Sequence, residues 1–212
     1  MLVDIDTWVL DLDNTLYPPA IGLADQMNVR IRAYLTKLFD ADEDETRRLQ
    51  AQLVAEHGTT LRGLMNNHAI DPHDYLAWEH TIDYSVLRQD PALIAALGAL
   101  PGARYVYTNG SAYHAEQVLT RLGLTEHVDG VFDILAGELV PKPYAASLDA
   151  FLARFGIDPE RAAMFDDLEV NLALPHERGM TTVWVSGGTP YEQLADRRWR
   201  ASDLPEFLRA NV

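Results

Sequence analysis

The spacing of apolar residues changes twice along this chain. Trp8 to Leu12 is a short apolar run that ends in acidic residues, which reads as a buried strand with a polar carboxyl tip. From about Ile21 to Asp83 the spacing becomes helical, and three or four amphipathic segments follow one another with no convincing strand. Leu23 to Phe39 sets Met27, Ile31, Tyr34, Leu35 and Leu38 on one helical face. A second helix is expected behind Asp42-Glu43-Asp44-Glu45, since acidic side chains suit the positive end of a helix dipole. A third starts at Asp71-Pro72, with proline in the first turn. After Asp90-Pro91, strands and helices alternate. Arg104 to Thr108, Val131 to Leu135, Ala162 to Phe165 and Thr181 to Val185 read as strands. Tyr113 to Leu122, Ala145 to Phe155 and Leu172 to Arg178 read as helices. Such alternation predicts an α/β fold: a Rossmann-like parallel-sheet core with helices on both faces. The helical stretch predicts an inserted all-α cap. Residues 1–17 and 90–212 would form the core and 18–89 the cap.

Parallel sheets bind ligands at the carboxyl ends of their strands, so the residues expected there matter most. They are Asp11-Leu12-Asp13-Asn14-Thr15-Leu16-Tyr17, then Thr108-Asn109-Gly110-Ser111, then Lys142 between Pro141 and Pro143, then Asp166-Asp167 with Asn171 beyond. Asp11 and Asp13, one residue apart in extended chain, point to one side. Asp11 and Asp167 can bind a hard cation, and Mg²⁺ takes one or two carboxylates together with water and phosphate. A metal-bound carboxylate stays ionised and can attack phosphorus. Asp13 is then placed to protonate the leaving oxygen and afterwards to activate water. Thr108 and the backbone N–H groups after it, from Asn109 onward, offer donors to phosphate, and Lys142 offers positive charge.

The run DLDNTLY, the TNG, the lysine of KP and the DD pair, in this order and spacing, resemble the four motifs of the haloacid dehalogenase-like superfamily. The insertion after the first motif resembles the helical cap of its first subfamily, and DLDNTLYP with TNG and FDD is similar to the pyrimidine 5′-nucleotidase branch. The resemblance implies Asp11 as nucleophile and metal ligand, and Asp13 as acid/base that also lends its backbone carbonyl to Mg²⁺. It implies Thr108 and Lys142 as phosphate holders and Asp167 as the remaining metal ligand, supported by Asp166 and Asn171. Two positions depart from the pattern. Leu168 stands where relatives commonly carry Ser, and Asn171 where many carry Asp. Tyr17, beside Pro18-Pro19, is a candidate substrate or hinge contact.

Composition narrows the rest. Seventeen basic against thirty-two acidic residues give a formal net charge of −15 with no basic stripe, which excludes nucleic acid as a partner. No apolar stretch approaches the roughly 18 to 20 residues that cross a bilayer, so no membrane partner is expected. Without cysteine there is no disulfide or thiolate chemistry, and the start of the chain has no secretory pattern; a cytoplasmic enzyme is expected. His57, His68, His73 and His80 fit no zinc spacing and read as surface or packing residues. Met65, Tyr75 and Trp78 read as cap core, and Gly187-Gly188-Thr189, lacking a P-loop lysine, as a plain loop. The expected function is a Mg²⁺-dependent phosphatase acting on a small phosphorylated metabolite, with a pyrimidine nucleoside 5′-monophosphate favoured. The alternatives are a sugar-phosphate phosphatase, a phosphomutase, a 2-haloacid dehalogenase or a non-catalytic phosphate-binding domain. The chain would be a monomer or a homodimer.

Overall fold

The structure, a computed structural model, describes residues 2, 4–188 and 190–212; Thr189 of the glycine loop lies outside the described residues. One seven-stranded sheet organises it. The strands are β1 (Thr7–Leu10), β2 (Ala103–Tyr107), β3 (Gly130–Phe132), β4 (Ala162–Asp166), β5 (Thr181–Val185), β6 (Tyr191–Ala195) and β7 (Arg198–Ala201). They lie in the order β3-β2-β1-β4-β5-β7-β6. Every neighbouring pair is parallel except β6 and β7, which form an antiparallel edge hairpin. The order of connection reverses at β1 and β4, so the crevice expected in a doubly wound sheet lies beyond their carboxyl ends.

The alternating side chains of these strands fill two apolar layers. Trp8, Leu10, Ala163 and Phe165 face the side covered by α5 (Pro91–Ala99), α6 (Ala112–Leu122) and α9 (Leu204–Asn211). Val9, Ala162 and Met164 face the side covered by α7 (Ala145–Phe155) and α8 (Glu169–Glu177). All four residues of β1 are buried, as a strand sandwiched on both faces requires. Trp8 settles its one polar atom by donating to the Pro101 carbonyl at 2.7 Å. The turn just after it depends on Gly102, which has φ +77°. A Cβ there would stand 2.0 Å from the Asp6 carbonyl oxygen.

Between β1 and α5 run four further helices, α1 (Leu23–Phe39), α2 (Glu43–His57), α3 (Thr60–Asn67) and α4 (Pro72–Glu79). Asp42, Thr59 and Asp71 cap α2, α3 and α4 with side-chain oxygens that accept backbone N–H groups. The four helices share a core of Ile31, Leu35, Leu53, Leu61, Leu64, Tyr75 and Leu76, joined by Ile134 from the segment after β3. α2 and α3 touch closely enough that a Cβ on Gly63 would fall 2.6 Å from Leu53. Tyr75 is therefore core, as its spacing suggested, whereas Trp78 carries the Arg30 guanidinium 4.1 Å over its ring. Among the described residues no helix is long and apolar enough to cross a membrane.

Candidate active site

Four loops meet at the carboxyl edge of the sheet. The first follows β1. The Asp11 amide still donates to the Phe165 carbonyl of β4 at 2.9 Å, which pins Asp11 over the β1/β4 crevice. The chain then turns at Asn14, which has φ 60°, a left-handed conformation that asparagine tolerates better than most residues. Asn14 donates to the Asp167 carboxylate at 3.3 Å, and Thr15 donates to the second oxygen of Asp11 at 3.0 Å.

The second loop follows β2. Thr108 Oγ1 accepts from the Gly110 amide at 2.9 Å, so its own proton is left to donate. The side chain of Asn109 is engaged with the third loop. Its oxygen accepts from the Lys142 amide at 2.7 Å and its NH₂ donates to the Lys142 carbonyl at 3.3 Å. What Asn109 can still offer a phosphate is its backbone N–H. This two-bond clamp fixes the third loop, where Lys142 is followed by a cis peptide bond to Pro143.

Lys142 is 3% exposed and its ammonium lies 2.6 Å from Asp11 and 2.7 Å from Asp166. Burial would lower the lysine pKa, but the two carboxylates outweigh it and hold it above its ordinary value. The fourth loop follows β4. Asp166 is fully buried, and one of its oxygens accepts from the Leu168 amide and from Asn171, both at 2.9 Å. The two departures from the family pattern are thereby accounted for. Leu168 turns its side chain to solvent and contributes its backbone N–H, while Asn171 supplies a neutral donor to Asp166. The Asp167 carbonyl is anchored by Trp184 at 2.9 Å.

The oxygens of Asp11, Asp166 and Asp167 lie within 4.8 Å of one another. Three carboxylates facing a single ammonium leave an excess of negative charge. Burial accordingly pushes Asp11 up to about 8 against the pull of Lys142, and burial raises Asp167 as well. An all-oxygen donor set with surplus negative charge fits a hard divalent cation. Among the described residues, the buried Asn14 Oδ1 beside it has no partner. The Asp13 carboxylate is not part of this cluster.

Asp13 faces the other way, into a polar chain absent from the sequence-based expectation. Its Oδ1 accepts from Tyr17 and contacts His114 Nε2 at 2.8 Å. Tyr17, the candidate substrate or hinge contact, donates to Asp13, and burial and that carboxylate together raise the Tyr17 pKa. His114 Nδ1 meets Tyr84 Oη at 2.9 Å, and the same hydroxyl lies 3.2 Å from the His80 carbonyl. Because an ionised Asp13 can only accept, the neutral imidazole that fits carries its proton on Nε2 and donates it to Asp13, leaving Nδ1 to accept from Tyr84. Burial alone would raise Asp13, but His114 and the two hydrogen bonds hold it below the ordinary carboxylate range. His80, read from its spacing as surface or packing, stacks on His114 with ring centroids 4.5 Å apart and accepts or donates at Ser111 Oγ, 3.0 Å away. Burial lowers its pKa to about 3, so it is neutral at ordinary pH. The signal for His114 was present in the sequence. It stands on the stripe of Ala115, Val118, Leu119 and Leu122, an imidazole among apolar residues at the end of α6 nearest the crevice.

The family model described as haloacid dehalogenase-like hydrolase matches residues 5–173. Phosphate metabolism protein 8 of Saccharomyces cerevisiae is 27% identical over 188 residues, which cover 80% of this chain and 58% of that protein. The chain thus spans somewhat over half the length of that curated relative. Among solved structures, a HAD phosphatase from Thermococcus onnurineus superposes with a TM-score of 0.65 at 17% identity, covering 97% of each chain. The magnesium-bound HAD-hydrolase YfnB of Bacillus subtilis gives 0.59 at 17% identity, covering 98% of this chain and 99% of that one. A 2-haloacid dehalogenase from Pseudomonas syringae gives 0.57 at 19% identity, covering 97% and 98%. These three likenesses show the shared fold and do not separate phosphatase from dehalogenase. On the extent of the family match, the chain belongs to the haloacid dehalogenase-like hydrolase family.

Proposed function

We propose that this hydrolase is a Mg²⁺-dependent phosphatase acting on a small phosphomonoester through an aspartyl-phosphate on Asp11, with a pyrimidine nucleoside 5′-monophosphate as favoured substrate. The observation that carries the reading is the division of labour between two carboxylates in one loop. Asp11 sits on Lys142 inside an oxygen cluster suited to a cation, while Asp13 sits on a proton-sharing histidine. Asp11, Asp166 and Asp167 would hold the metal, whose bound charge would keep Asp11 ionised and offset its repulsion from phosphate.

Asp11 attacks phosphorus and the bond from phosphorus to the ester oxygen breaks. The departing oxygen takes the proton held between Asp13 and His114. Water then attacks the aspartyl-phosphate and gives a proton back to Asp13, releasing inorganic phosphate and the free carboxylate. Lys142 and the Thr108 hydroxyl are the donors for the phosphate oxygens. Dehalogenation attacks carbon and releases halide, so it needs neither a proton donor nor a cation; under that reading the Asp13–His114 pair and the acidic cluster have no use. The names of the yeast relative and of the Thermococcus neighbour, a phosphate metabolism protein and a phosphatase, support the phosphoryl reading. The nucleotide preference rests on the similarity of DLDNTLYP, TNG and FDD to the nucleotidase branch.

The test is phosphate release from a panel of phosphomonoesters, with and without Mg²⁺, for the wild type and Asp11→Asn. Metal-dependent release that is lost in Asp11→Asn, with nucleoside monophosphates ranked first, is expected. Sugar phosphates turned over far faster would overturn the nucleotide preference, transfer to a second hydroxyl would indicate a mutase, and metal-independent halide release a dehalogenase.

A further inference from the structure

Next to Asp13 lies a cavity of about 250 Å³, walled on the sheet side by Asp13 and Asn109 and on the helical side by residues of α1 to α4. Asp13 is the group that hands a proton to the leaving oxygen, so the leaving group of the substrate occupies this space. Its size is below the roughly 300–1,000 Å³ of typical small-molecule sites, which suits a sugar- or nucleoside-sized group. Among the described residues no lysine or arginine lines it. The one formal charge on its helical wall is Glu79, the last residue of α4, and among the described residues Glu79 makes no ion pair or side-chain hydrogen bond. On the α1 and α2 side, Gln50 donates to Asn28 at 2.8 Å, leaving the Gln50 oxygen and the Asn28 NH₂ to other partners.

We propose that Glu79 is the specificity-determining residue of this enzyme, accepting hydrogen bonds from the hydroxyl or amino groups of an uncharged leaving group and rejecting phosphoesters that carry a second anion. The inference rests on the phosphatase reading and deepens it. An ionised carboxylate accepts and cannot donate, so its natural complement is a group rich in O–H or N–H donors. A second phosphate or carboxylate on the substrate would meet Glu79 and Asp13 in a half-enclosed space, where like charges repel strongly and no cation compensates. Burial, opposed by His114 and aided by Asp13, pushes the Glu79 carboxyl up to about 7, so the carboxylate that an anionic leaving group would meet is the dominant form above that pH. The amide pair of Gln50 and Asn28 adds one acceptor and one donor for a neutral polar group.

The test compares kcat/KM for cytidine 5′-monophosphate and 3-phosphoglycerate in the wild type, Glu79→Gln and Gln50→Lys, all with Mg²⁺ and at about pH 8.5, where Glu79 is ionised. The wild type should prefer the nucleotide, and Glu79→Gln should narrow the ratio tenfold or more, mainly by lowering KM for the carboxylated ester. Gln50→Lys, which adds a cation on the α2 wall and leaves Glu79 intact, should move the ratio in the same direction. Because the ratio is internal to each protein, a general loss of activity does not affect it. A ratio unchanged in both variants overturns the assignment of Glu79. Turnover of p-nitrophenyl phosphate by the wild type but not by Asp11→Asn reports on the phosphatase reading separately. Its absence overturns that reading and the Glu79 assignment with it.

Discussion

Replacing Lys142 by methionine removes the ammonium that pairs Asp11 and Asp166 in a buried cluster and keeps most of the side-chain volume. Asp166 is fully buried and Asp11 is 7% exposed, so neither carboxylate can recover hydration once the lysine is gone. Removing one member of a buried ion pair costs about 3–5 kcal/mol, chiefly through the charge left unpaired. Here two carboxylates share the lysine at 2.6 and 2.7 Å, which places the expected loss toward the upper part of that range. Against a typical total stability of about 5–15 kcal/mol, the variant should still fold but unfold at clearly lower urea concentration. The pH dependence follows from sign. In Lys142→Met the uncompensated carboxylates have pKa values raised above those of the unfolded chain, so the folded state binds more protons and gains stability as pH falls. The gap to the wild type should therefore be wide near about pH 7.5 and narrow near about pH 5. Adding Mg²⁺ should narrow it too, since a bound cation compensates the same charges. Urea unfolding at the two pH values, with and without Mg²⁺, is the assay. A loss below about 1 kcal/mol, or one equal at both pH values, would refute the account of Lys142 as the counter-ion on which Asp11 and Asp166 depend.

Gly102→Ala should cost several kcal/mol, on the order of 3, because a Cβ at φ +77° would stand 2.0 Å from the Asp6 carbonyl; a drop in Tm of under about 2 °C would show that the turn before β2 relaxes freely. Tyr17→Phe removes one of two donors to Asp13, so the Asp13 pKa should rise and the limb of the pH–kcat profile that reports it should move to higher pH. An unmoved limb would separate Tyr17 from the acid/base group. Chelating divalent metal should abolish phosphate release, and Asp167→Asn should need at least about tenfold more Mg²⁺ for half-maximal rate; an unchanged Mg²⁺ requirement would remove Asp167 from the metal site.

The parts of this molecule that were legible in the sequence are those whose causes are local. α1 and α7 run over the same residues that their spacing predicts, because each shows the core a regular stripe and is closed by a left-handed residue, Asp40 or Gly156. α5 is apolar nearly all round, with Leu93, Ala96 and Leu97 buried, and so has no helical period to find. α3 spans eight residues and is held mainly by contact with α2. β6, the edge strand, is largely exposed, and an edge strand with little buried area carries no alternating pattern, while β7 beside it is only four residues long. The same division runs through the site. Asp11, Asp13, Thr108 and Asp166 sit at strand ends, where the topology of the sheet alone brings them together, and Lys142, in the loop well beyond β3, is held beside them by the Asn109 clamp. His114 reaches Asp13 from the first turn of α6, within the core itself, whereas His80 and Glu79, at the end of α4, come to the surroundings of Asp13 only because the α1–α4 layer packs over the crevice, with Ile134 joining its core. A residue placed by the docking of two layers leaves no periodic trace on its own segment. This is why the carboxylates proposed to react could be read from the chain, while His80 and Glu79 emerge only from the packed structure.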